Sequence, residues 1–241
     1  GAVTIGIAGY TNAGKSSFFL KMSGKEVLVE DKLFSTLETT VGRLAESPRI
    51  LLADTIGFID NLPNATLDAF RATLSEALEC DMLMVLVDAT DSEDEFRRKI
   101  SATQKEINSR YVGAEDVNNL DERKIMCVLT KIETISKDEL IQKQSIVEEY
   151  GYVNPMAISV HENLGLVKLQ DAMLTQLFGA PTSLQLKCSE VGRSIEGYLS
   201  DVYDSGMIID KHLQQNGDMI VEVWINQQSL ARLVSNSDGR I

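Results

Sequence analysis

Two hydrophobic rhythms alternate along the chain. Mostly apolar runs recur at residues 3–8, 49–53, 82–87, 125–129 and 153–158, several of them followed by Gly, Asp or Thr. Runs of this length without alternation fit strands buried on both faces. Between them, apolar residues fall three or four apart at 15–22, 65–79, 93–109, 137–150 and 164–177, the stripe of a helix with one buried face. In 65–79 the stripe is Leu67, Phe70, Leu74 and Leu78. Strand-helix alternation predicts an α/β fold, a doubly wound and mostly parallel sheet with crossover helices on both faces. Residues 24–48 interrupt the rhythm. They are rich in Thr, Ser and acidic groups and read as a long irregular connection, a kind of segment that tends to be functional. Residues 113–122 read as a polar surface loop.

The rhythm changes after Gly179, Ala180 and Pro181. A strand is expected at 184–188, a helix at 191–203 and two strands at 207–213 and 219–225. Gln215, Asn216 and Gly217 form the turn signal between those two strands, and a last helix starts near Gln227. The expected organisation is therefore a domain over residues 1–180 and a small α+β domain over 181–241.

Charge and cysteine usage narrow the class. The 36 acidic residues against 23 basic give a net charge of −13. Such a chain repels phosphate backbones at long range and is not a general DNA or RNA binder. Cys80, Cys127 and Cys188 are too scattered for a disulfide framework or a Cys-x-x-Cys metal pair, which suggests buried or half-buried thiols in a reducing, cytoplasmic setting. With only His161 and His212, a multi-histidine metal site is excluded. The longest apolar run, residues 82–87, is far too short to span a membrane. No signal peptide is expected ahead of the first strand, and the sequence reads as a stretch of something longer.

The candidate chemistry sits at the ends of the apolar runs. Gly9, Tyr10, Thr11, Asn12, Ala13, Gly14, Lys15 and Ser16 fit G-x-x-x-x-G-K-[ST], between a strand and a helix as that motif requires. Consecutive backbone N–H groups of such a loop make an anion nest, and the helix N-terminus adds free donors and partial positive charge. Lys15 would reach the β- and γ-phosphates of a nucleotide. Ser16 would offer its hydroxyl to Mg²⁺, and Ser17 follows on the same turn. Asp54, with Thr55, Ile56 and Gly57 after it, ends the second apolar run, where a carboxylate holds Mg²⁺ through water and the Gly57 N–H senses the γ-phosphate. Thr130, Lys131, Ile132 and Glu133 resemble the base-reading N/T-K-x-D of GTPases. Ser159 and Val160 end the next run, where GTPases place a backbone contact to guanine O6. The order of these pieces predicts a P-loop G domain binding GTP and GDP. Glu133 stands where Asp is usual, and its extra methylene either relaxes discrimination against ATP or is absorbed by a shift of the loop.

These residues resemble the HflX family of translational GTPases. The resemblance rests on residues 9–16, on Phe34, Ser35, Thr36 and Leu37, on the long stretch from Asp54 to Leu74, and on Val87, Asp88 and Ala89. It covers residues 1 to about 178 and continues more weakly through Gly192, Arg193 and Ser194 and through Ser229 to Arg232. It implies a G domain of the Obg–HflX type, binding to the large ribosomal subunit, and a part in splitting or rescuing ribosomes under stress. It also implies an N-terminal domain and helical linker ahead of the G domain, carrying much of the ribosome contact and not seen in this sequence. In the first switch segment the chain is one residue shorter than the family pattern and lacks its proline. Thr36 best matches the Mg²⁺-binding threonine, with Thr39 and Thr40 as rivals.

Lys15, Thr36 and Gly57 are accordingly the expected catalytic groups, and Ser16, Thr36 and Asp54 the expected Mg²⁺ ligands. Phe58 stands where many GTPases carry a water-orienting Gln, so intrinsic hydrolysis is expected to be slow and a partner to complete the site. Arg43 reads as a surface arginine rather than an internal arginine finger, and His161 as a solvated loop residue. A nucleotide-gated scaffold with negligible turnover, and an ATPase or small-molecule kinase, are the competing readings.

Overall fold

The computed structural model describes residues 3–23, 40–45, 50–54, 80–111, 124–188, 194–237 and 239–241. They divide between two compact units, Val3–Leu44 with Leu51–Gln170, and Ala45–Ile50 with Asp171–Ile241.

A six-stranded sheet has the order β2-β3-β1-β4-β5-β6, built from β1 (Val3–Gly9), β2 (Thr40–Ala45), β3 (Ile50–Asp54), β4 (Met82–Asp88), β5 (Ile125–Thr130) and β6 (Met156–Ala157). The pairs β1/β4, β4/β5 and β5/β6 are parallel. Each of these strands is apolar because helices rather than water cover the sheet: all seven residues of β4 are buried. The helices are α1 (Lys15–Ser23), α2 (Glu93–Tyr111), α3 (Lys137–Glu149) and α4 (Leu166–Phe178), the last of which straddles the division between units. On α2 the buried residues Phe96, Ile100, Thr103 and Ile107 form one stripe, and the first three of its residues, Glu93, Asp94 and Glu95, are acidic where the helix dipole favours it. A capping box starts α3: Ser136 accepts from the Glu139 N–H, and the Glu139 carboxylate accepts from the Ser136 N–H.

The topology positions the site. Strand β1 lies between β3 and β4, so the chain runs to one side of β1 and then returns to the other. Open α/β sheets bind ligands at such a reversal, beyond the C-terminal ends of the strands. Gly9, Asp54, Asp88 and Thr130 all occupy those ends.

Several elements differ from expectation for local reasons. Residues 40–45, read as irregular, form β2 at the sheet edge, where pairing with β3 outweighs a weak strand sequence. The run 153–158 yields only the two-residue β6 because Asn154 turns to φ 50° ahead of Pro155, leaving Val153 77% exposed. Helix α4 starts at Leu166 rather than 164, since Gly165 takes φ 71°. The expected helix at 65–79 and loop at 113–122 lie outside the described residues.

The other unit is an antiparallel sheet of order β7-β9-β8, from β7 (Thr182–Leu186), β8 (Met207–Leu213) and β9 (Met219–Trp224), with α5 (Ile195–Ser205) and α6 (Gln227–Ser235). Period-two alternation on the strands buries Leu184, Leu186, Val221 and Val223, which join Tyr198, Val202 and Leu233 of the helices in one core. Strand β7 spans 182–186 rather than 184–188, and α5 begins after the Ser194 N-cap, which accepts from the Gly197 N–H. Cys188 is consequently exposed beyond the strand, against the expectation of burial, and its N–H donates to Asp218 Oδ1. No helix among the described residues is long and apolar enough to cross a membrane.

Candidate nucleotide-binding site

The loop after β1 has the backbone its spacing requires. Gly9 sits at φ 151°, and a Cβ there would lie 2.4 Å from the Leu86 carbonyl oxygen of β4. Only glycine lets the two strands approach this closely. Asn12 (φ 65°) and Gly14 (φ 84°) turn the loop, the Ala13 N–H closes it on the Tyr10 carbonyl at 3.2 Å, and α1 begins at Lys15. Lys15 is 8% exposed, and its Nζ donates to the Tyr10 carbonyl at 2.9 Å. The ammonium is thus held against the loop's own backbone.

The Tyr10 ring is gripped from α2. The Arg98 guanidinium carbon lies 5.3 Å and Lys99 Nζ 5.7 Å from its centroid, and Arg98 Nη1 donates to the phenol oxygen at 3.3 Å. Each cation over the ring contributes about 0.5–1 kcal/mol. Carboxylates hold the cations: Arg98 forms a two-point pair with Glu95, and Lys99 binds Asp91 at 2.8 Å. The Arg98 hydrogen bonds bring the Glu95 carboxyl down to about 2.

The turn after β5 is built on Lys131, a non-glycine residue at φ 61°, ψ 33°. That left-handed conformation costs about 1 kcal/mol, so something must hold it. The Lys131 carbonyl accepts from the Thr134 hydroxyl at 3.0 Å and the Thr134 N–H at 3.4 Å, forming the 3₁₀ turn Ile132–Thr134 with Glu133 exposed on it. The Lys131 ammonium meets Asp88 Oδ2 at 2.5 Å. Asp88 Oδ1 accepts from the Thr90 N–H at 2.9 Å and hydroxyl at 2.7 Å. Burial alone would raise the Asp88 carboxyl, but Lys131 and both Thr90 donors outweigh it and hold the group below its ordinary range.

One side chain ties the two loops together. Thr130, 1% exposed, directs its hydroxyl to the Ala13 carbonyl at 2.9 Å and the Val87 carbonyl at 3.1 Å. The third loop closes on itself. The Ser159 N–H donates to Leu164 O at 3.1 Å, the Leu164 N–H returns to Ser159 O at 3.0 Å, and Ser159 Oγ accepts from the Glu162 N–H. Behind it, a Cβ at Gly165 would lie 2.2 Å from the Ala157 carbonyl oxygen. His161, solvated as expected, bonds only to the neighbouring Glu162 carboxylate among the described residues.

Of the expected site residues, Gly9 to Ser17, Thr130, Lys131, Glu133, Ser159 and Val160 are described, at or just beyond the ends of β1, β5 and β6. Asp54 is the last residue of β3, and Arg43 is exposed on β2. Thr36, Gly57 and Phe58 lie outside the described residues. Among the described residues no three His, Cys, Asp or Glu side chains gather to hold a metal ion. Asp88 enters the sequence reading only as part of the family resemblance and not as a site residue, although it ends an apolar strand as Asp54 does. The Tyr10–Arg98 contact spans 88 positions and left no local signal.

Residues 4–131 match the model of a family described as 50S ribosome-binding GTPase. GTPase HflX of Gluconacetobacter diazotrophicus is 30% identical over 218 residues, covering 90% of this chain and 44% of that protein. GTPase HflX of Thermofilum pendens is 29% identical over 234 residues, covering 97% of this chain and 52% of that protein. The crystal structure of a GTP-binding protein from Sulfolobus solfataricus in complex with GDP is similar with a TM-score of 0.57 and 28% identity, covering 73% of this chain and 52% of that one. The chain spans about half the length of the curated relatives it matches. The family match takes in more than half of the 241 residues, from within β1 to Lys131 after β5, and the chain belongs to the 50S ribosome-binding GTPase family, with GTPase HflX proteins among its relatives.

Proposed function

We propose that the chain binds GTP and GDP, hydrolyses GTP slowly, and works as a nucleotide switch at the large ribosomal subunit in the cytoplasm. The observation that carries the reading is the Thr130 hydroxyl on the Ala13 carbonyl at 2.9 Å, which locks the start of a guanine-reading turn onto a phosphate loop. Residues 1–180 act as the G domain in this reading, and residues 181–241 as a second domain.

Lys15 and the loop N–H groups would take the β- and γ-phosphates, where positioning and charge neutralisation do most of the work. Glu133, exposed on its turn, would accept guanine N1–H and N2–H. Because the Ser159 N–H is committed to Leu164, the Val160 N–H is the donor left for guanine O6. For Mg²⁺, the hydroxyls of Ser16 and Thr36 and the carboxylate of Asp54 are hard oxygen donors of the type this ion takes. The ion would supply charge neutralisation on the phosphate oxygens. The Gly57 N–H would sense the γ-phosphate, and Phe58 cannot orient water by hydrogen bonding, so turnover is slow until a partner completes the site. The ribosomal partner is supported by the family description and the HflX relatives.

The test is a calorimetric titration of the 241-residue chain with GTP, GDP and ATP in Mg²⁺, followed by single-turnover hydrolysis with and without large ribosomal subunits. Binding of GTP and GDP at least tenfold tighter than ATP, with hydrolysis accelerated by the subunits, is expected. Equal affinity for ATP removes the guanine reading, and an unchanged rate removes the ribosomal part for this stretch of chain.

A further inference from the structure

The base-reading carboxylate has no anchor of its own. Glu133 is exposed and makes no hydrogen bond or ion pair with any described residue. Its position is therefore set by the backbone of Ile132–Thr134, and that backbone pivots on the left-handed Lys131. The side-chain grip on Lys131 comes from a different strand. Its ammonium meets Asp88 Oδ2 at 2.5 Å, although the two residues are 43 positions apart. Asp88 is itself immobilised. It ends the fully buried β4, is 8% exposed, and has its other oxygen taken by two Thr90 donors at 2.7 and 2.9 Å. A carboxylate with three donors spread over both oxygens cannot rotate without losing at least one of them.

We propose that Asp88 is a specificity-determining positioning residue: by pinning Lys131 it fixes the turn that presents Glu133, and so sets how strongly the site prefers guanine over bases lacking the 2-amino group. The inference rests on the guanine reading above and deepens it. A free Lys131 would let the turn shift by the fraction of an ångström that separates a two-point carboxylate contact from a one-point contact. The longer side chain of Glu133 makes this outside restraint more important, because each added rotatable bond widens the range of carboxylate positions. Thr90 contributes in turn by orienting Asp88.

GDP and IDP differ only in the 2-amino group, so the ratio of their affinities reads the second carboxylate contact directly. Loss of general stability or of phosphate contacts weakens both ligands alike and leaves the ratio unchanged. The experiment titrates the full chain and its Asp88→Asn, Thr90→Val and Glu133→Gln variants with GDP and IDP in Mg²⁺. In the unaltered chain GDP should bind at least tenfold tighter than IDP, a preference that Glu133→Gln abolishes. Asp88→Asn should lower the ratio about fivefold or more, and Thr90→Val about twofold, in the same direction. An Asp88→Asn chain that keeps the full ratio overturns the positioning role while leaving the guanine reading intact. An unaltered chain with no preference for GDP overturns the guanine reading and this inference with it. If Asp88→Asn folds poorly, Thr90→Val gives the same decision: an unchanged ratio there counts against the proposal.

Discussion

The phosphate loop and the base turn solve the same problem, holding a short backbone segment in an unusual conformation, by opposite means. Residues 9–15 set their backbone mostly from within: Gly9 and Gly14 remove side chains, Ala13 closes on Tyr10, and Lys15 folds back on the Tyr10 carbonyl within five residues, while Arg98, Lys99 and Thr130 brace the result from outside. Residues 130–134 use side chains from elsewhere. A lysine takes the left-handed angle that glycine would adopt freely, and Asp88 of a neighbouring strand holds it there. The first device is largely local, since its turns are made by its own residues. The second depends on an ion pair whose lysine is 39% exposed, so it is weaker and more open to adjustment.

The largest effects should come from the glycines packed most tightly against a carbonyl, one beside residues 9–15 and one behind the third loop. Gly9→Ala forces a Cβ to 2.4 Å from the Leu86 carbonyl, and Gly165→Ala forces one to 2.2 Å from the Ala157 carbonyl, each at a positive φ. Each should cost about 3 kcal/mol or more in denaturant unfolding. Where folded protein remains, Gly9→Ala should lose affinity for every nucleotide, whereas Gly165→Ala should lose mainly the discrimination among bases. A Gly9→Ala chain that binds GDP normally would count against the role of Gly9 in shaping the loop.

The bridge between the regions comes next. Thr130→Val keeps the shape but leaves the Ala13 and Val87 carbonyls without their hydroxyl donor. A loss of about 1–2 kcal/mol in unfolding free energy is expected, with faster GDP release measured by stopped flow. If release is unchanged, the two loops are held independently.

The smallest effect is in pH. The Asp88 carboxyl lies below its ordinary value of 3.8, so its contribution is complete above that value and fades as pH falls through the lowered one. The unfolding free energies of the unaltered chain and Asp88→Asn should therefore differ by a constant amount, below about 1 kcal/mol, from pH 7 to about 4, and converge in more acid solution. A difference that shrinks between pH 7 and 5 would assign the effect to another group.

The same contrast explains what could be read in the sequence. Gly9, Gly14, Lys15 and Ser16 encode a local backbone, so their spacing alone foretold a tight loop between strand and helix. Thr130, Lys131 and Glu133 marked the place of a turn after β5 but not its support, since Asp88 reaches it only after β4 and β5 pair in parallel. Arg98 and Lys99 on Tyr10 were hidden for the same reason. The parallel sheet was legible because strands covered on both faces must be apolar throughout. Strand β6 was overread because the apolar Val153 and Ile158 outweighed the turn that Asn154 and Pro155 impose. Strand β2 was missed because an edge strand takes its conformation from its neighbour more than from its own residues.

Trp224, the single tryptophan of the chain, ends β9 in the antiparallel unit with its indole Nε1 buried and without a hydrogen-bond partner among the described residues. An indole shielded in this way emits at shorter wavelength than one in water, so fluorescence excited where tyrosine does not absorb is a spectroscopic label on the unit that holds Asp171–Ile241. Melting of that unit can be followed optically while the nucleotide site is filled or empty, with no dye attached and no residue replaced.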